Sequence, residues 1–469
     1  MIRHQAFLLD QFAPIAVYEK LKVLFENEVT FLFESAGGSE GNYSIVVLGA
    51  RERLQYRNNR TLYTGADGEA NILEVSPFEF LKSYYAKIET HPFRAACKEL
   101  GVGYVDGFIG NIGYDMVKVF EPVLAPYMDK LEDTMQIPDL DLILPKMVVV
   151  YSHKEHRITL ISTMDAMAQR FGEVEAALKS SYDYTPLKMM ESDQGGEFAF
   201  TKEKFFEMVD QSKEMIRSGD VFQILMTNRY THRAKVDPFS FYRILRTKNP
   251  SPYMFLMEFE EFSIVGSSPE VMVRLNEGEL LLRPIAGTRK RGATKERDLE
   301  LEEELLADPK ELAEHLMLID LGRNDVGRVA KPGTVKVNNM MHIERYSHVM
   351  HIVSDVVAEL RDDKDMFDLF ASCFTAGTMT GAPKIRAMEL IAEFEGLKRG
   401  FYSGSIGYFG FDGNMDSAIT IRTALVKPDC VILQAGAGVV ADSIPELEYL
   451  EVQNKLGALT STLEDLRAH

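Results

Sequence analysis

Cysteine is scarce. Cys97, Cys373 and Cys430 are the only three in 469 residues, odd in number and far apart. No CxxC and no Cys/His cluster occurs, which excludes a disulfide framework and a zinc site and leaves reduced core cysteines. Positive charge is short as well: 52 Lys and Arg stand against 71 Asp and Glu, a net −19 spread along the chain with no acidic tail. A broad phosphate-binding surface, and with it a nucleic-acid partner, is excluded. An anionic small molecule is not, because one local cation reverses the field inside a pocket. Long apolar runs are missing too. None approaches the about 20 residues of a membrane span. The opening MIRHQAFLLDQFAP has no signal-peptide apolar region, since Asp10 and Gln11 interrupt it. The expectation is a cytoplasmic protein with no membrane contact.

What is present is the composition of a globular chain able to bury a large core, 46% hydrophobic and 26% charged. Its length suits about three average domains, or one large body with an appendage. Strand-like apolar runs recur at Ser44–Leu48, Lys146–Tyr151, Ile158–Ile161, Phe262–Gly266, Glu279–Arg283 and Cys430–Gln434. Helical patterns lie at Lys202–Ser218, Asp298–Leu321, Met366–Ser372, Ala382–Glu395 and Pro445–Ser461. The mixture reads as α+β, with antiparallel sheets and helices packed over them. A polar, Gly-containing seam at Met190–Glu197 divides an N-terminal region, residues 1–190, from a region at 195–465 that holds nearly every reactive-looking segment.

Two stretches carry carboxylates at helical spacing. Glu311 and Glu314 share one face of a helix, and Glu448 and Glu451 repeat the arrangement near the C-terminus. Ser443 and Glu446 have the spacing of a capping box that would start the second helix, with Asp442 beside it. If the two faces meet, they need a cation, and oxygen ligands without His or Cys suit Mg²⁺. From spacing alone the plainer reading is stronger: two solvated faces, with Glu451 and Lys455 an ordinary i,i+4 pair. The neighbouring motifs reverse that order.

Three segments are rich in glycine. Cys430–Ala441 reads as a strand, a turn at Gly436 and Gly438, then a helix, and formally fits GxGxxG/A. No second strand follows to complete a dinucleotide-binding unit, so backbone amides approaching a carboxylate are the better reading. Ala376–Arg386 resembles a phosphate loop but has its glycines too close, proline before Lys384 and Ile385 where a metal-binding hydroxyl belongs. It reads as a tight loop with threonine hydroxyls before a helix at Pro383. Pro284–Gly292 leaves a strand and turns through Gly287 and Gly292, making Gly287 and Thr288 pocket candidates and Lys290 and Arg291 a surface patch.

Together these segments resemble the chorismate-utilising enzyme family. The resemblance rests on GDVFQ (219–223), GSSPE (266–270), PIAGTRKRG (284–292), ELAEHLMLIDLGRND (311–325), FTAGTMTGAPK (374–384), YSGSIGYF (402–409), TIRT (420–423) and AGAGVVADSIPELEYLEVQNK (435–455), in order. It implies a large α/β sandwich of stacked antiparallel sheets, with surrounding helices, enclosing the active site. It makes Glu314 and Glu451 direct Mg²⁺ ligands, with Glu311 and Glu448 completing the acidic shell through water. Gly287, Thr288, Tyr402, Arg422, Gly436, Ala437, Gly438 and Lys455 would line the chorismate site. His351 matches the family's active-site histidine, a candidate proton donor to the departing hydroxyl, and Thr378 a pocket hydroxyl.

The residue after Pro284-Ile separates the branches of the family. Lysine there marks the folate-pathway branch, where it attacks the ring; Ala286 leaves room for ammonia. The resemblance therefore implies the branch that turns chorismate and ammonia into anthranilate and pyruvate for tryptophan synthesis, with the folate-pathway branch as the alternative. A non-catalytic amino-acid sensor is a more distant one. Phe31–Ser35 with Asn42-Tyr43-Ser44, and Pro252-Tyr253-Met254, resemble the two halves of the tryptophan feedback site. Ser35, Pro252, Tyr253 and Met254 would contact that inhibitor, although Phe33 and Asn42 replace the usual leucine and arginine. No GxCxGxQ nucleophile for glutamine hydrolysis occurs, which implies ammonia from a separate glutamine amidotransferase subunit or from ammonium directly.

Overall fold

The computed structural model describes residues 1–35, 43–346 and 349–467. Asn42, one of the two departures in the feedback motif, lies outside them. Strands Tyr43–Arg57 and Leu140–Ser152 pair antiparallel along their whole length, with a register shift between Ala50 and Glu52. An extra residue of this kind bends and twists a ribbon, and here it separates two sets of partners. Before it, Ser44–Leu48 pairs with strand Thr30–Glu34 and Val148–Ser152 with strand Arg157–Ser162. After it, Arg53–Arg57 pairs with strand Arg60–Thr64 and Leu140–Ile143 pairs against strand Gly107–Ile112. Two antiparallel sheets grow from one bent pair.

The first sheet continues from Thr30–Glu34 through Tyr253–Glu258, Ser263–Ser268, Thr423–Val426 and Val431–Val439 to Gln223–His232. The second runs from Gly107–Ile112 through Ser405–Gly410, Met415–Ile419, Val271–Asn276 and Glu279–Leu282 to Val349–Glu359. Strands Ile285–Lys290 and Lys336–Arg345 flank Val349–Glu359. Ladders thus join strands from before and after the seam at Met190–Glu197.

Alternation along the strands sorts side chains between two cores. Phe31, Val47, Phe255, Met257, Ile264 and Leu425 face residues of the second sheet, including Phe108, Ile406 and Met415. Their neighbours Leu32, Val46, Leu48, Met254, Leu256 and Val265 face Tyr18, Leu21, Phe205, Phe241 and Leu456 on helices. Each fully buried side chain of this size contributes about 1.5–3 kcal/mol. The α+β sandwich with surrounding helices is the observed architecture.

Local departures from the sequence reading concern backbone rather than pattern. The helical run expected over Asp298–Leu321 is two helices, Lys295–Ala307 and Pro309–Gly327. Asp308 intervenes, and as N-cap its carboxylate accepts from the Lys310 and Glu311 amides, a better use of Asp-Pro than continuing a helix. The capping box of Ser443 and Glu446 does not form: helix Pro445–Asp465 has Ile444 as N-cap, and Ser443 Oγ instead accepts from Val440 N at 3.0 Å. Gly436 and Gly438 are not in a turn. They lie inside strand Val431–Val439, opposite Thr227 and Leu225. Nor does the chain turn at Gly287, which sits in a bulge of strand Ile285–Lys290 with φ +66°.

One buried ion pair ties these pieces together. Arg399, 1% exposed, bonds Glu395 at 2.7 Å and donates to the carbonyls of Met379 and Leu225, each at 2.8 Å. Glu395 in turn accepts from Thr227 N and Oγ1. Helix Lys384–Glu395, the Gly377–Met379 turn and strand Gln223–His232 are held at one point. Arg399→Met leaves a carboxylate buried without its cation and is expected to cost about 3–5 kcal/mol, measured as a lower urea midpoint. A midpoint equal to wild type would show that the pair is not needed to hold this junction.

Candidate active site

Helix Pro309–Gly327 carries Glu311 in its first turn and Glu314 one turn on. Helix Pro445–Asp465 does the same with Glu448 and Glu451 and is anchored by Val452, Leu456 and Leu459. Carboxylates near a helix N-terminus are favoured by the unpaired amides there. The two faces feel one another. Burial raises the Glu314 carboxyl above its ordinary range, Glu311 and Glu451 raise it further, and Gln223 and Lys455 pull it down. Glu448 is raised by burial and by Glu451 and lowered by Ser443 and by Lys310 of the other helix.

Existing cations answer part of this charge. Lys455 Nζ is 2.7 Å from Glu451 Oε1, the i,i+4 pair visible in the sequence, and it also donates to Gly436 O at 2.8 Å. Arg289, the first of three consecutive cations, bonds Glu311 at 3.0 Å and Asp308 at 2.9 Å. Lys290 and Arg291 are exposed, and Arg291 pairs with Asp298. Among the described residues, no three His, Cys, Asp or Glu side chains stand close enough together to hold a metal as they are. The donor set nonetheless fits a hard divalent ion: four carboxylates and no nitrogen or sulfur ligand, with an ammonium already serving as counter-charge at Glu451.

Around this charge the other candidates assemble. Tyr402 is buried beside Gly436, and burial raises its hydroxyl pKa against the pull of Arg399 and Arg422. Arg422, held at φ +51°, donates through Nη1 to the Lys455 carbonyl. Burial lowers the Arg422 pKa, opposed by Tyr402 and Glu451. On the opposite wall the His351 Nδ1 lies 2.8 Å from the Gly287 carbonyl, an acceptor only. That places the ring proton on Nδ1 and the lone pair on Nε2. Thr288 Oγ1 is 3.1 Å from the same nitrogen. Burial lowers the His351 pKa, and Arg422 lowers it further, so near neutrality the ring is uncharged. Gly287 has a steric reason to be glycine: with its positive φ, an added Cβ would sit 3.1 Å from Glu311 Oε2. The side chain of Ala437 points the other way, into the helix-covered core, so only its backbone faces the site.

A family comparison bears on this arrangement. Residues 28–461 match the chorismate binding enzyme family. The chain belongs to the chorismate-binding enzymes. Anthranilate synthase component 1 of Aquifex aeolicus is 43% identical, covering 97% of this chain and 93% of the relative. That of Thermus thermophilus is 40% identical, covering 98% and 97%. The structure of anthranilate synthase component I from Streptococcus pneumoniae superposes with TM-score 0.78 at 31% identity, covering 97% of this chain and 99% of that one. The menaquinone-specific isochorismate synthase of Escherichia coli, TM-score 0.72 at 21% identity, shares the fold.

Two features of this chorismate-binding chain come from the structure alone. Thr378 Oγ1 donates to Glu270 Oε1 at 3.0 Å. Glu270 is only 8% exposed, and burial pushes its carboxyl up to about 7 against the opposing pull of Thr378 and Lys455. The matching segment GSSPE contained this residue, but nothing in the sequence said that its carboxyl would be enclosed. The second feature is a cavity of about 1390 Å³ away from the acidic helices, lined by Phe33, Glu34, Ser35, Pro252, Tyr253 and Arg274 among others. Ser35, Pro252 and Tyr253 are brought together there. Met254 is not, because alternation sends its side chain into the other core while its backbone pairs with Glu34. The Tyr253 hydroxyl donates to Asp416 at 2.9 Å and accepts from Arg274 at 2.9 Å. The cavity extends to Arg283, Glu344 and Tyr346, and the Tyr346 ring meets His351 with centroids 5.6 Å apart.

Proposed function

We propose that this chain is the large subunit of an anthranilate synthase, converting chorismate and ammonia to anthranilate and pyruvate. One observation carries the reading: two acidic helix faces, Arg422, Lys455 and Tyr402 converge on the glycine strand in a chain related over its full length to anthranilate synthase component 1 sequences. Glu314 and Glu451 would hold Mg²⁺ directly, with Glu311 and Glu448 outside them. When bound, the ion supplies Lewis-acid polarisation next to the ring carboxylate. Arg422 takes the enolpyruvyl carboxylate through its two-pronged guanidinium, and the Gly436–Gly438 backbone lets that group approach closely.

Proton transfers divide between two groups. Glu270, with a carboxyl near 7, is protonated below that pH and in that form donates to the C4 hydroxyl as it leaves as water. Ammonia forms its bond to C2 while the ring double bonds shift. His351, uncharged with its lone pair on Nε2, is better suited to accept a proton than to donate one. It removes the C2 proton as the enolpyruvyl group departs, to be released as pyruvate, and the ring becomes aromatic. This gives His351 the opposite role to the one expected from its motif.

Ammonia comes from a glutamine amidotransferase subunit, in keeping with the component 1 name of the relatives. The large cavity, with Ser35, Pro252 and Tyr253 on its wall, takes tryptophan as inhibitor, and its extension to Tyr346 offers a route to His351. On this reading residues 1–190 supply most of the regulatory wall and 195–465 the chemistry. Among the described residues no helix is long and apolar enough to cross a membrane, in keeping with a cytoplasmic enzyme.

The deciding measurement is product analysis with chorismate, Mg²⁺ and ammonium, repeated with tryptophan. Anthranilate fluorescence is expected, suppressed by tryptophan. An aminated, non-aromatic product that keeps its enolpyruvyl group would move the chain to the folate-pathway branch.

A further inference from the structure

Gln223 begins strand Gln223–His232, packed between two glycines. On one side it pairs with Ala382, and an added Cβ on Gly381 would lie 2.2 Å from the Gln223 carbonyl. On the other side runs the glycine strand, with Leu225 opposite Gly438. The backbone of Gln223 is therefore set by both neighbours, and its half-buried side chain leaves the sheet toward helix Pro309–Gly327. Its amide Nε2 donates to Glu314 Oε1 at 3.4 Å.

Gly438 closes the argument. A Cβ built there would stand 2.5 Å from Gln223 Nε2, but 3.6 Å from Cδ and 4.0 Å from Cγ. Only the tip of the side chain collides. Gly438 has no positive φ that demands glycine, so the missing Cβ serves the space in which the amide sits. An alanine at 438 would push the amide aside and leave the strand intact.

We propose that Gln223 is a positioning residue that holds the Glu314 carboxylate in its metal-binding orientation, and that Gly438 is glycine to admit its amide. A carboxylate with two nearby acids has every electrostatic reason to swing away from them; a neutral donor restrains it without cancelling the charge a cation needs. Lysine in the same place would supply a competing cation, and glutamate a further repulsion. The inference rests on the reading of Glu314 as a metal ligand.

The test measures Mn²⁺ binding by electron paramagnetic resonance, with chorismate and ammonia both absent so that contacts of the glycine strand to substrate play no part, in Gln223→Met, Gly438→Ala, Gln223→Ala and the Gln223→Ala/Gly438→Ala pair. Partners that orient a metal ligand are typically worth 10–100-fold in affinity, so Gln223→Met and Gly438→Ala should each weaken Mn²⁺ about tenfold. In turnover of Gln223→Met, the loss should fall on the apparent Mg²⁺ constant, with kcat recovered at saturating Mg²⁺. With the side chain already removed by Gln223→Ala, adding Gly438→Ala should weaken Mn²⁺ no further. Unchanged Mn²⁺ affinity in Gln223→Met, or full additivity in the pair, would overturn the proposal. Glu314→Gln run alongside separates the two ideas: if it too leaves Mn²⁺ binding intact, the metal reading itself fails.

Discussion

Glu314→Gln combined with Glu451→Gln is expected to abolish metal-dependent turnover. Gln keeps the volume of each side chain and both helices, so the fold should survive. What is lost is charge, one proposed metal ligand from each helix. Lewis-acid stabilisation of a departing group amounts to several kcal/mol, and about 4 kcal/mol is a factor near 10³ in rate. The expected result is a loss of at least that size that added Mg²⁺ cannot reverse. Lys455 sharpens the test. Its ammonium pairs with Glu451, so the double variant also loses this contact, whereas Lys455→Met alone should leave Mg²⁺ binding in place. Wild-type turnover in the double variant would put the metal elsewhere.

Glu270→Gln is the second large effect. General acid catalysis by a placed side chain contributes about 10²–10⁴-fold, and kcat should fall by that factor with little change in the Mg²⁺ requirement. The sign of the pH dependence follows from the raised pKa. With its carboxyl near 7, Glu270 is protonated and competent below that pH and loses its proton as pH rises through it. Wild-type kcat should therefore decline on the alkaline side of about 7, and Glu270→Gln should remove that limb. Thr378→Val offers an internal check. It deletes the hydrogen bond that favours the carboxylate, so the limb should move to higher pH. A variant that keeps both rate and profile would reassign the acid.

The regulatory reading has a physical cost attached. Glu34 on the cavity wall is engaged by Tyr242 at 2.5 Å and by Arg246 at 3.1 Å, and Tyr253 is bracketed by Arg274 and Asp416. An amino acid arriving there meets groups that already have partners, so its affinity depends on how cheaply those partners rearrange. Phe33, where the resemblance expects leucine, lies on the same wall.

How much was legible in the sequence depended on distance along the chain. Glu311 with Glu314, and Glu448 with Glu451, declare themselves because helix geometry puts residues three apart on one face, and Glu451 with Lys455 one turn apart. Alternating apolar runs announced the strands, and their number announced an antiparallel α+β body. The order of motifs identified the family and with it the glycine strand, Arg422 and Tyr402. Local turns were less legible: Asp308-Pro309 broke one helix into two, and Gly436 and Gly438 proved to be strand residues chosen for what lies opposite them.

Composition, secondary-structure pattern, the acidic pairs and family membership can be read along the chain, because each is written in residue types or in short-range spacing. Which groups share a space is a matter of packing. Packing put Glu451 where its charge acts on Glu314, set Thr378 on an enclosed Glu270, seated Gln223 between Gly438 and Glu314, and gathered Ser35 and Tyr253 around one cavity. Those relations join residues up to hundreds of positions apart. Burial, which sets the Glu270 carboxyl and the neutral His351, is a property of everything packed around a group and of nothing adjacent to it in the chain.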